Sequence, residues 1–465
     1  MNMQRIRHPL AQLREEKGLT HGAYALLVAR THAELGFGAM AARREKVARW
    51  ESGRVTPEAS AQLAIASVHG VPHADVERLG WPDWLYTATG HSDLLTAPWT
   101  HGSAVAAMDR VAHASPRTTE HRYRVLSSPD GIADLSAAWF DGAAGAEWLP
   151  VDRGQRVSGS TVNVLEERQR QLHQLYAAIG GLPVQPLADT ELRMLSDLIR
   201  NATCDQPTGL RLLGLASDAA TFAGWLAVES GDQTRAQSAF LASMRCAAAA
   251  GDSRRGAYAM LVAAKQKIDL WDLPGTCELL DAARRLCASA RPSPRMLACL
   301  SSTQAMVDGM GGDAEAVARH VDTTYDLFAA ERHDDDLDCT EWVNLESVRL
   351  QEGFAHAYLG ATDKALEHLL PLYDGSATTE MADRENALTR VHIALAHASA
   401  GDGATAVEWV RSVPETLEEF PSYCVESHFR HLLDILEGVD PTPAVRDFLQ
   451  SRHTRTTTPL AVSPP

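Results

Sequence analysis

Turn-forming residues recur at a nearly constant interval through the second half of the sequence. They stand at positions 231, 271, 312, 360 and 401, so the intervals are 40, 41, 48 and 41 residues. Four of these residues are glycine, and the fifth is Trp271. An interval of this size predicts repeated pairs of helices, in which each pair buries its apolar side by stacking on its neighbours.

Small residues occur at fixed distances from these turns. Three turns are followed by an alanine after five positions and by a larger apolar residue after nine. These residues are Ala236, Ala365 and Ala406, then Phe240, Leu369 and Val410. Gly224 and Gly353 precede their turns by seven positions. Because small residues let two antiparallel helices approach closely, we expect tight helix pairs at these places.

This arrangement resembles the tetratricopeptide repeat (TPR), in which glycine and other small residues occupy the same relative places. The resemblance covers residues 210–420. The period in that family is about 34 residues, so the helices or turns of this chain must be longer. Generic helical hairpins without TPR geometry are the alternative.

Residues 9–86 show the pattern of several short helices. Apolar residues recur at helical spacing, and Gly18 and Gly53 stand where two helices are expected to end. In the fourth helix Thr56 is the expected N-cap and Pro57 the first helical residue. The residues expected in the core are Leu10, Leu13, Tyr24, Leu27, Val28, Val47, Trp50, Leu63, Ile65, Val68, Val76, Leu79, Trp81 and Trp84.

The segment KVARWESGRVTPE, residues 46–58, is the most specific motif in the chain. It resembles the recognition helix and following turn of Cro/repressor-type (XRE) helix-turn-helix regulators, whose usual pattern is Glu-x-Gly-x-x-x-Pro. Glu51, Gly53 and Pro57 match that pattern, and Val47 and Trp50 occupy its two core positions. The first helix, QLREEKGLT, matches as well. With the helical repeats behind it, most of the chain resembles a class of actinobacterial XRE regulators that carry TPR-like repeats.

A helix that lies in the major groove needs an apolar side that seats it and an opposite side with long hydrogen-bond donors. Val47 and Trp50 provide the first side, and arginine and lysine provide the second. The resemblance places base-reading residues at Arg44, Glu45 and Arg49, and phosphate contacts at Arg43, Lys46 and Arg54. The N-terminal end of the second helix, at Thr20 and His21, is expected to dock another phosphate. Glu45 suits recognition of cytosine N4, or alternatively an ion pair with Arg49.

One departure from that family lies between the second and third helices. The family joins them by a few residues, whereas about a dozen extra residues, 30–41, intervene here. We therefore expect the third helix to sit at an altered angle, and the insertion is itself a candidate for DNA contact.

Charge is distributed unevenly along the chain. The whole chain has a net charge of −17. Residues 1–85 contain 11 Lys and Arg against 9 Asp and Glu, whereas the remainder contains 32 against 51. Only the N-terminal part is therefore suited to face a phosphate backbone, and the acidic remainder limits non-specific binding.

Together these patterns predict an all-α protein, with an N-terminal helix-turn-helix domain followed by a TPR-like α-solenoid of paired antiparallel helices. The expected divisions are a DNA-binding domain over 1–86, a partly structured linker over 87–160, a repeat domain over 161–440 and a C-terminal tail over 441–465. The linker is expected to hold short helices at 102–113 and 131–140, and the tail to be disordered at its end.

Other kinds of site are not favoured by the sequence. The seven cysteines are scattered, no apolar run suits a signal peptide or membrane span, and no Gly-rich phosphate loop precedes Lys-Ser/Thr. We therefore expect a soluble cytoplasmic protein that is not an enzyme and has no cofactor. Cys424, His428 and His431 share a helix face, and residues 333–339 form an acidic loop, but neither has the paired spacing of a zinc site, so no metal is expected.

The predicted function is that of a sequence-specific transcriptional regulator. Its partners are expected to be double-stranded DNA, a second copy in a homodimer, and a peptide, small molecule or protein at the TPR-like domain. The alternative is a protein-interaction adaptor that does not bind DNA by sequence.

Overall fold

The computed structural model describes residues 8–82, 84–86, 88, 92–114, 129–142, 148–149, 154–289, 293–330, 336–337, 340, 344–373, 380–438 and 442–456. Within these ranges the protein is predominantly helical, which confirms the predicted all-α class. Two strands of two residues each, β1 (Gln155–Arg156) and β2 (Ala202–Thr203), form a short parallel pair.

The N-terminal unit is built from short helices around one apolar cluster. Its helices are α1 (Pro9–Glu16), α2 (His21–Glu34), α3 (Arg44–Glu51), α4 (Ala59–His69), α5 (His73–Leu79) and α6 (Trp84–Tyr86). Leu10, Tyr24, Val47, Ile65 and Trp84 are almost fully buried in this cluster, as predicted. Helical spacing of apolar residues therefore identified most of this core, although Leu27, also expected there, is half-buried and lies outside the cluster.

The start of α4 differs from the prediction. Thr56 and Pro57 precede the helix, and the N-cap is Glu58, which has extended backbone angles (φ −59°, ψ 153°) and makes no side-chain cap. Instead of beginning the helix, Pro57 is buried, and its carbonyl accepts a hydrogen bond of 2.9 Å from the Gln62 side chain.

The segment predicted as a linker contributes helices to the main core. It contains α7 (Ser92–Thr96), α8 (His101–Ala112) and α9 (Pro129–Gly142). The rings of Trp99 and Trp139 lie 5.0 Å apart, and both belong to the largest buried cluster of the protein. The guanidinium of Arg245, 2% exposed, donates to the carbonyls of Leu94, Ala97 and Pro98. The described part of 87–160 is thus packed against the helices that follow it, because its tryptophans need burial.

Fifteen helices of 7 to 24 residues form the remainder of the described chain. They are α10 (Gly159–Ile179), α11 (Gly181–Asn201), α12 (Gln206–Glu229), α13 (Gln233–Ala250), α14 (Ser253–Asp269), α15 (Leu273–Ser289), α16 (Pro294–Gly311), α17 (Ala314–Ala329), α18 (Leu345–Tyr358), α19 (Thr362–Leu369), α20 (Glu380–Ser399), α21 (Gly403–Val410), α22 (Val413–Glu419), α23 (Tyr423–Gly438) and α24 (Pro443–Thr456). Part of the predicted C-terminal tail is therefore helical, and residues 457–465, where disorder was expected, lie outside the described residues.

Consecutive helices pack in pairs, joined by the predicted turns. The pairs are α12 with α13, α14 with α15, α16 with α17, α18 with α19, and α20 with α21. Each of the five predicted turn residues has a positive φ, from 60° at Trp271 to 83° at Gly401. Glycine adopts this conformation without steric cost, which explains why it occupies most of these turns.

Close approach within a pair depends on glycine. A Cβ placed on Gly224 would lie 2.5 Å from Cε1 of Phe240, and one on Gly353 would lie 2.5 Å from Cδ2 of Leu369. The predicted tight contact of paired helices is confirmed at both positions, and Ala236 is fully buried as expected.

The stack of pairs also closes on itself. Helix α23 packs on α20 and, on its other side, contacts α12 and α14 from the beginning of the stack. Ser427 on α23 donates to the carbonyl oxygen of Asp269 at 2.6 Å and accepts from the Trp271 indole at 3.1 Å. We call this junction, formed by Asp269, Trp271, Ser427 and His428, the seam.

The N-terminal unit reaches the seam through its last helix. Tyr86 of α6 forms a small buried cluster with Leu270 and Tyr423, each 8% exposed. Leu270 lies between Asp269 and Trp271, so this cluster lies beside the seam. Within the described ranges, no helix combines the length and apolarity needed to cross a bilayer.

Candidate nucleic-acid interface

Helix α3 is seated on the N-terminal unit by one apolar side. Val47 is fully buried and Trp50 is 4% exposed, three residues apart on the same face. The helix begins after Arg43, which makes no side-chain cap, and ends at Glu51 before Gly53, whose φ is 69°. The opposite face of α3 is left towards solvent.

The predicted base-reading and phosphate-contacting residues lie on this solvent face. Those that are exposed are Arg43, Arg44, Glu45, Arg49 and Arg54. Lys46 is half-buried. The structure therefore leaves Arg44, Glu45 and Arg49 of α3 accessible, and the exposed Arg43 and Arg54 flank the helix.

Glu45 forms its ion pair with Arg44 and not with Arg49, the alternative partner that the sequence suggested. Its carboxylate pairs with Arg44 at 3.0 Å, whereas Arg49 donates to the backbone carbonyl of Glu45 at 3.4 Å. A hydrogen bond from the backbone amide of Glu45 and the Arg44 side chain hold the pKa of the Glu45 carboxyl below its usual range. The carboxylate is ionised and exposed, so it remains able to accept a hydrogen bond.

A buried ion pair attaches α3 to α1. Arg14 Nε donates to Glu51 Oε1 at 2.6 Å and Arg14 Nη2 to Glu51 Oε2 at 3.1 Å, and each side chain is 8% exposed. A further nitrogen of Arg14 donates to the carbonyl of Leu19 at 2.8 Å. The hydrogen bond to Glu51 raises the pKa of Arg14 above its usual value. Sequence reasoning gave Arg14 no role, although its position one turn before Gly18 in a matching first helix was a usable signal.

The two residues predicted at the start of α2 have different surroundings. Thr20 is the N-cap of the helix, and its hydroxyl accepts from the amide of Ala23 at 3.3 Å, as expected of a capping threonine. His21 is half-buried, and its Nε2 lies 2.9 Å from Glu51 Oε2. Since Gly22 and Ala23 are exposed, the first turn of α2 remains open to an anion.

Part of the inserted segment 30–41 is helical, so the loop between α2 and α3 is shorter than predicted. Helix α2 runs on to Glu34, so only residues 35–43 separate it from α3. His32, 7% exposed, anchors this loop, with Nδ1 2.9 Å from the carbonyl of Gly38 and Nε2 3.0 Å from the Ser60 hydroxyl. Phe37 is 42% exposed at its tip. The insertion is held against α4 and leaves the exposed face of α3 uncovered.

The structure separates the three residues Cys424, His428 and His431, which the sequence placed on one helix face. Ligand atoms of Asp269, Cys424 and His428 lie within 4.8 Å of one another, whereas His431 packs its ring on Trp271, with centroids 4.1 Å apart. His428 Nε2 lies 3.3 Å from Asp269 Oδ1, and its Nδ1 hydrogen-bonds the Tyr358 hydroxyl. Both ring nitrogens thus have protein partners, which explains this cluster as a hydrogen-bonded junction. Of the acidic loop 333–339, only 336–337 lie within the described residues.

Comparisons with known proteins identified no relative of this chain. The chain matches no protein-family model, no curated protein and no solved structure.

Proposed function

We propose that this chain is a sequence-specific DNA-binding transcriptional regulator of the helix-turn-helix type, with a TPR-like helical domain that senses a ligand or recruits a protein. The observation that carries the proposal is the surface of α3, where Arg44 and Arg49 are exposed while Val47 and Trp50 are buried, with the exposed Arg43 directly before the helix. This is the arrangement that a helix needs in order to fit the major groove.

Arginine on that face suits base recognition. A guanidinium can donate two hydrogen bonds to O6 and N7 of guanine, which is worth about 1–3 kcal/mol of discrimination. In the proposed complex Arg44 and Arg49 read bases, and Glu45 accepts from a cytosine amino group. Arg43, Lys46 and Arg54 contact phosphates, together with the exposed first turn of α2 beside Thr20 and His21.

The rigid attachment of α3 supports the same proposal. Base contacts need the helix to hold a fixed orientation relative to the phosphate contacts. The Arg14–Glu51 pair ties α3 to α1, and the contact of His21 with Glu51 ties it to the start of α2. The two elements that would touch DNA, α3 and the start of α2, are thus linked to each other and to α1 through one carboxylate.

A homodimer is part of the proposal, because two copies reading two half-sites gain affinity and specificity over one. The helical pairs after residue 205 supply the TPR-like part, supported by the positive-φ turns and the glycine contacts at Gly224 and Gly353. Tyr86 provides a direct contact between that domain and the N-terminal unit.

Selection of random duplex DNA on the purified full-length protein tests this function. We expect an enriched motif, arranged as a palindrome if the protein binds as a dimer, and steep weakening of binding with salt. Arg49→Ala should weaken the enrichment and relax the preference at one position of the motif, whereas Arg193→Ala, which changes an exposed arginine in α11, is the matched control and should leave the motif intact. No enrichment at any salt concentration would contradict the proposal and favour a protein-interaction adaptor.

A further inference from the structure

A carboxylate and two imidazoles converge on the pair of helices α18 and α19. Glu352 and His356 stand on consecutive turns of α18, and His368 faces them from α19. Nε2 of His368 lies 3.3 Å, and Nε2 of His356 lies 3.8 Å, from the same oxygen, Oε1 of Glu352. The ligand atoms of the three residues lie within 4.8 Å of one another.

The local fold explains how His368 reaches this position. A Cβ on Gly353, next to Glu352, would lie 2.5 Å from Leu369 Cδ2 and 3.3 Å from His368 Cβ. The absence of a side chain at Gly353 therefore lets α19 pack directly on α18. The short turn at Gly360, where φ is 69°, reverses the chain direction and places α19 beside α18.

Hydrogen bonds between these residues do not account for the arrangement. His356 is 8% exposed, and its Nδ1 has no hydrogen-bond partner in the described part of the chain. Its Nε2 is too far from Glu352 for a hydrogen bond at 3.8 Å. A nine-tenths buried imidazole whose Nδ1 has no partner requires an explanation.

The carboxylate of Glu352 is held in one orientation. The Tyr325 hydroxyl donates to Oε2 of Glu352 at 2.6 Å, which leaves Oε1 facing the two imidazoles.

We infer that Glu352, His356 and His368 bind a divalent transition-metal ion of the Zn²⁺ class, at a site that does not depend on DNA binding. Two imidazole nitrogens and one carboxylate oxygen form a common ligand set for such ions, with a fourth position left for water. In tetrahedral zinc geometry neighbouring ligand atoms lie about 3.4 Å apart. The distances of 3.3 and 3.8 Å are close to that value, so small side-chain movements complete the site. Tyr325 would not bind the ion but would orient the Glu352 carboxylate through its hydrogen bond. The His368 side chain is 23% exposed, which leaves a route for the ion from solvent.

Titration of the chelator-treated full-length protein with Zn²⁺, in competition with a chromogenic chelator, tests the inference. We expect one equivalent of Zn²⁺ to bind with an affinity that falls as the pH drops below about 6.5, because the imidazoles must be neutral. His368→Ala and Glu352→Gln should each weaken that binding by about 100-fold or more, and Tyr325→Phe by about 10-fold. Bound Zn²⁺ should raise the melting temperature of the native protein but not that of His368→Ala. A cooperative melting transition of His368→Ala in the same experiment shows that the variant folds.

Two controls locate the ion. His397→Ala removes a half-buried histidine of the next pair of helices and should bind Zn²⁺ normally. Cys424→Ser removes one potential ligand of the other candidate cluster, Asp269, Cys424 and His428, and this variant should also bind Zn²⁺ normally. With Co²⁺ as the probe, no thiolate-to-metal charge-transfer band is expected. Loss of binding in Cys424→Ser, a thiolate band, or unchanged binding in both His368→Ala and Glu352→Gln would overturn the inference, as would no binding of Zn²⁺ at all.

Discussion

The guanidinium of Arg14 makes two hydrogen bonds to the carboxylate of Glu51, 37 residues further along the chain, and both side chains are nearly excluded from solvent. Removing one member of such a pair leaves the other charged and buried. The position of α3 therefore depends on a polar contact as well as on the apolar residues beneath it.

Arg14→Ala should destabilise the N-terminal unit by about 3–5 kcal/mol, because the Glu51 carboxylate would lose its buried partner. Hydrogen exchange of amides in α1 to α3 is the appropriate measurement, since it reports the local unfolding of this unit. Arg30→Ala is the control. Its pair with Glu34 is exposed, so its loss should cost about 0.5 kcal/mol or less. Equal effects of the two substitutions would show that burial of the Arg14 pair has no special weight.

Base-reading and phosphate-contacting residues should respond differently to substitution. Arg44→Ala and Arg49→Ala should each cost about 1–3 kcal/mol on the selected sequence and relax the preference at one base pair. Arg54→Ala should weaken all sequences alike and reduce the salt slope by about one. Salt titrations on the selected and a scrambled duplex separate the two behaviours. A uniform loss in all three variants would argue against base reading by α3.

Gly224→Ala should lower the stability of the helical stack. Alanine favours a helix over glycine by about 0.5–1 kcal/mol, but its Cβ would meet the buried Phe240 ring, and overpacking typically costs about 1–3 kcal/mol. We therefore expect a lower melting temperature. Gly102→Ala, near the start of α8 with open space around its Cβ, is the matched control and should be neutral or stabilising. The two variants should shift thermal unfolding in opposite directions or by clearly different amounts.

Two histidines near the seam, the buried His392 and the half-buried His431, should make the protein less stable in acid. Burial, followed by the nearby His428, lowers the pKa of His431 to about 4 from 6.5, although Asp434 opposes the shift. Burial also lowers the pKa of His392 well below its usual value. The unfolded chain therefore binds more protons between about pH 6.5 and 4, and stability falls as the pH drops through that range.

Urea unfolding at several pH values measures this effect. Since carboxylates also contribute to acid unfolding, the informative quantity is the difference between the native protein and His431→Gln. The variant should lose less stability than the native protein between pH 7 and pH 5. Parallel pH dependences in the two proteins would mean that His431 does not contribute.

Local features of this fold were predictable from sequence, and the reason is visible at particular residues. Gly231, Gly312 and Gly401 adopt positive φ at the predicted turns, because that conformation is a property of one residue and its immediate neighbours. Val47 and Trp50 lie in the core because their spacing alone places them on one helix face.

Contacts between distant segments were not predictable in the same way. Asp269 meets His428 only because the stack of pairs closes, and no local pattern near either residue indicates it. The tryptophans at 99 and 139 lie in a stretch rich in proline and glycine, which favoured a linker, yet their burial makes that stretch part of the core. The same holds for the candidate interface: the exposed arginines of α3 were predicted, whereas the contact of Glu51 with Arg14 needed the structure.

Closure of the seam has a thermodynamic consequence for any molecule that binds the surface of α12 and α14 that α23 covers. Such a molecule would have to displace α23, so its apparent affinity would fall by the fraction of protein in which α23 is released. Tyr86 packs with Leu270 and with Tyr423 of α23, so release of α23 would also disturb a contact of the N-terminal unit. Under the proposed function, reciprocity requires that whatever factor such a molecule imposes on the affinity for DNA, DNA imposes on the affinity for that molecule.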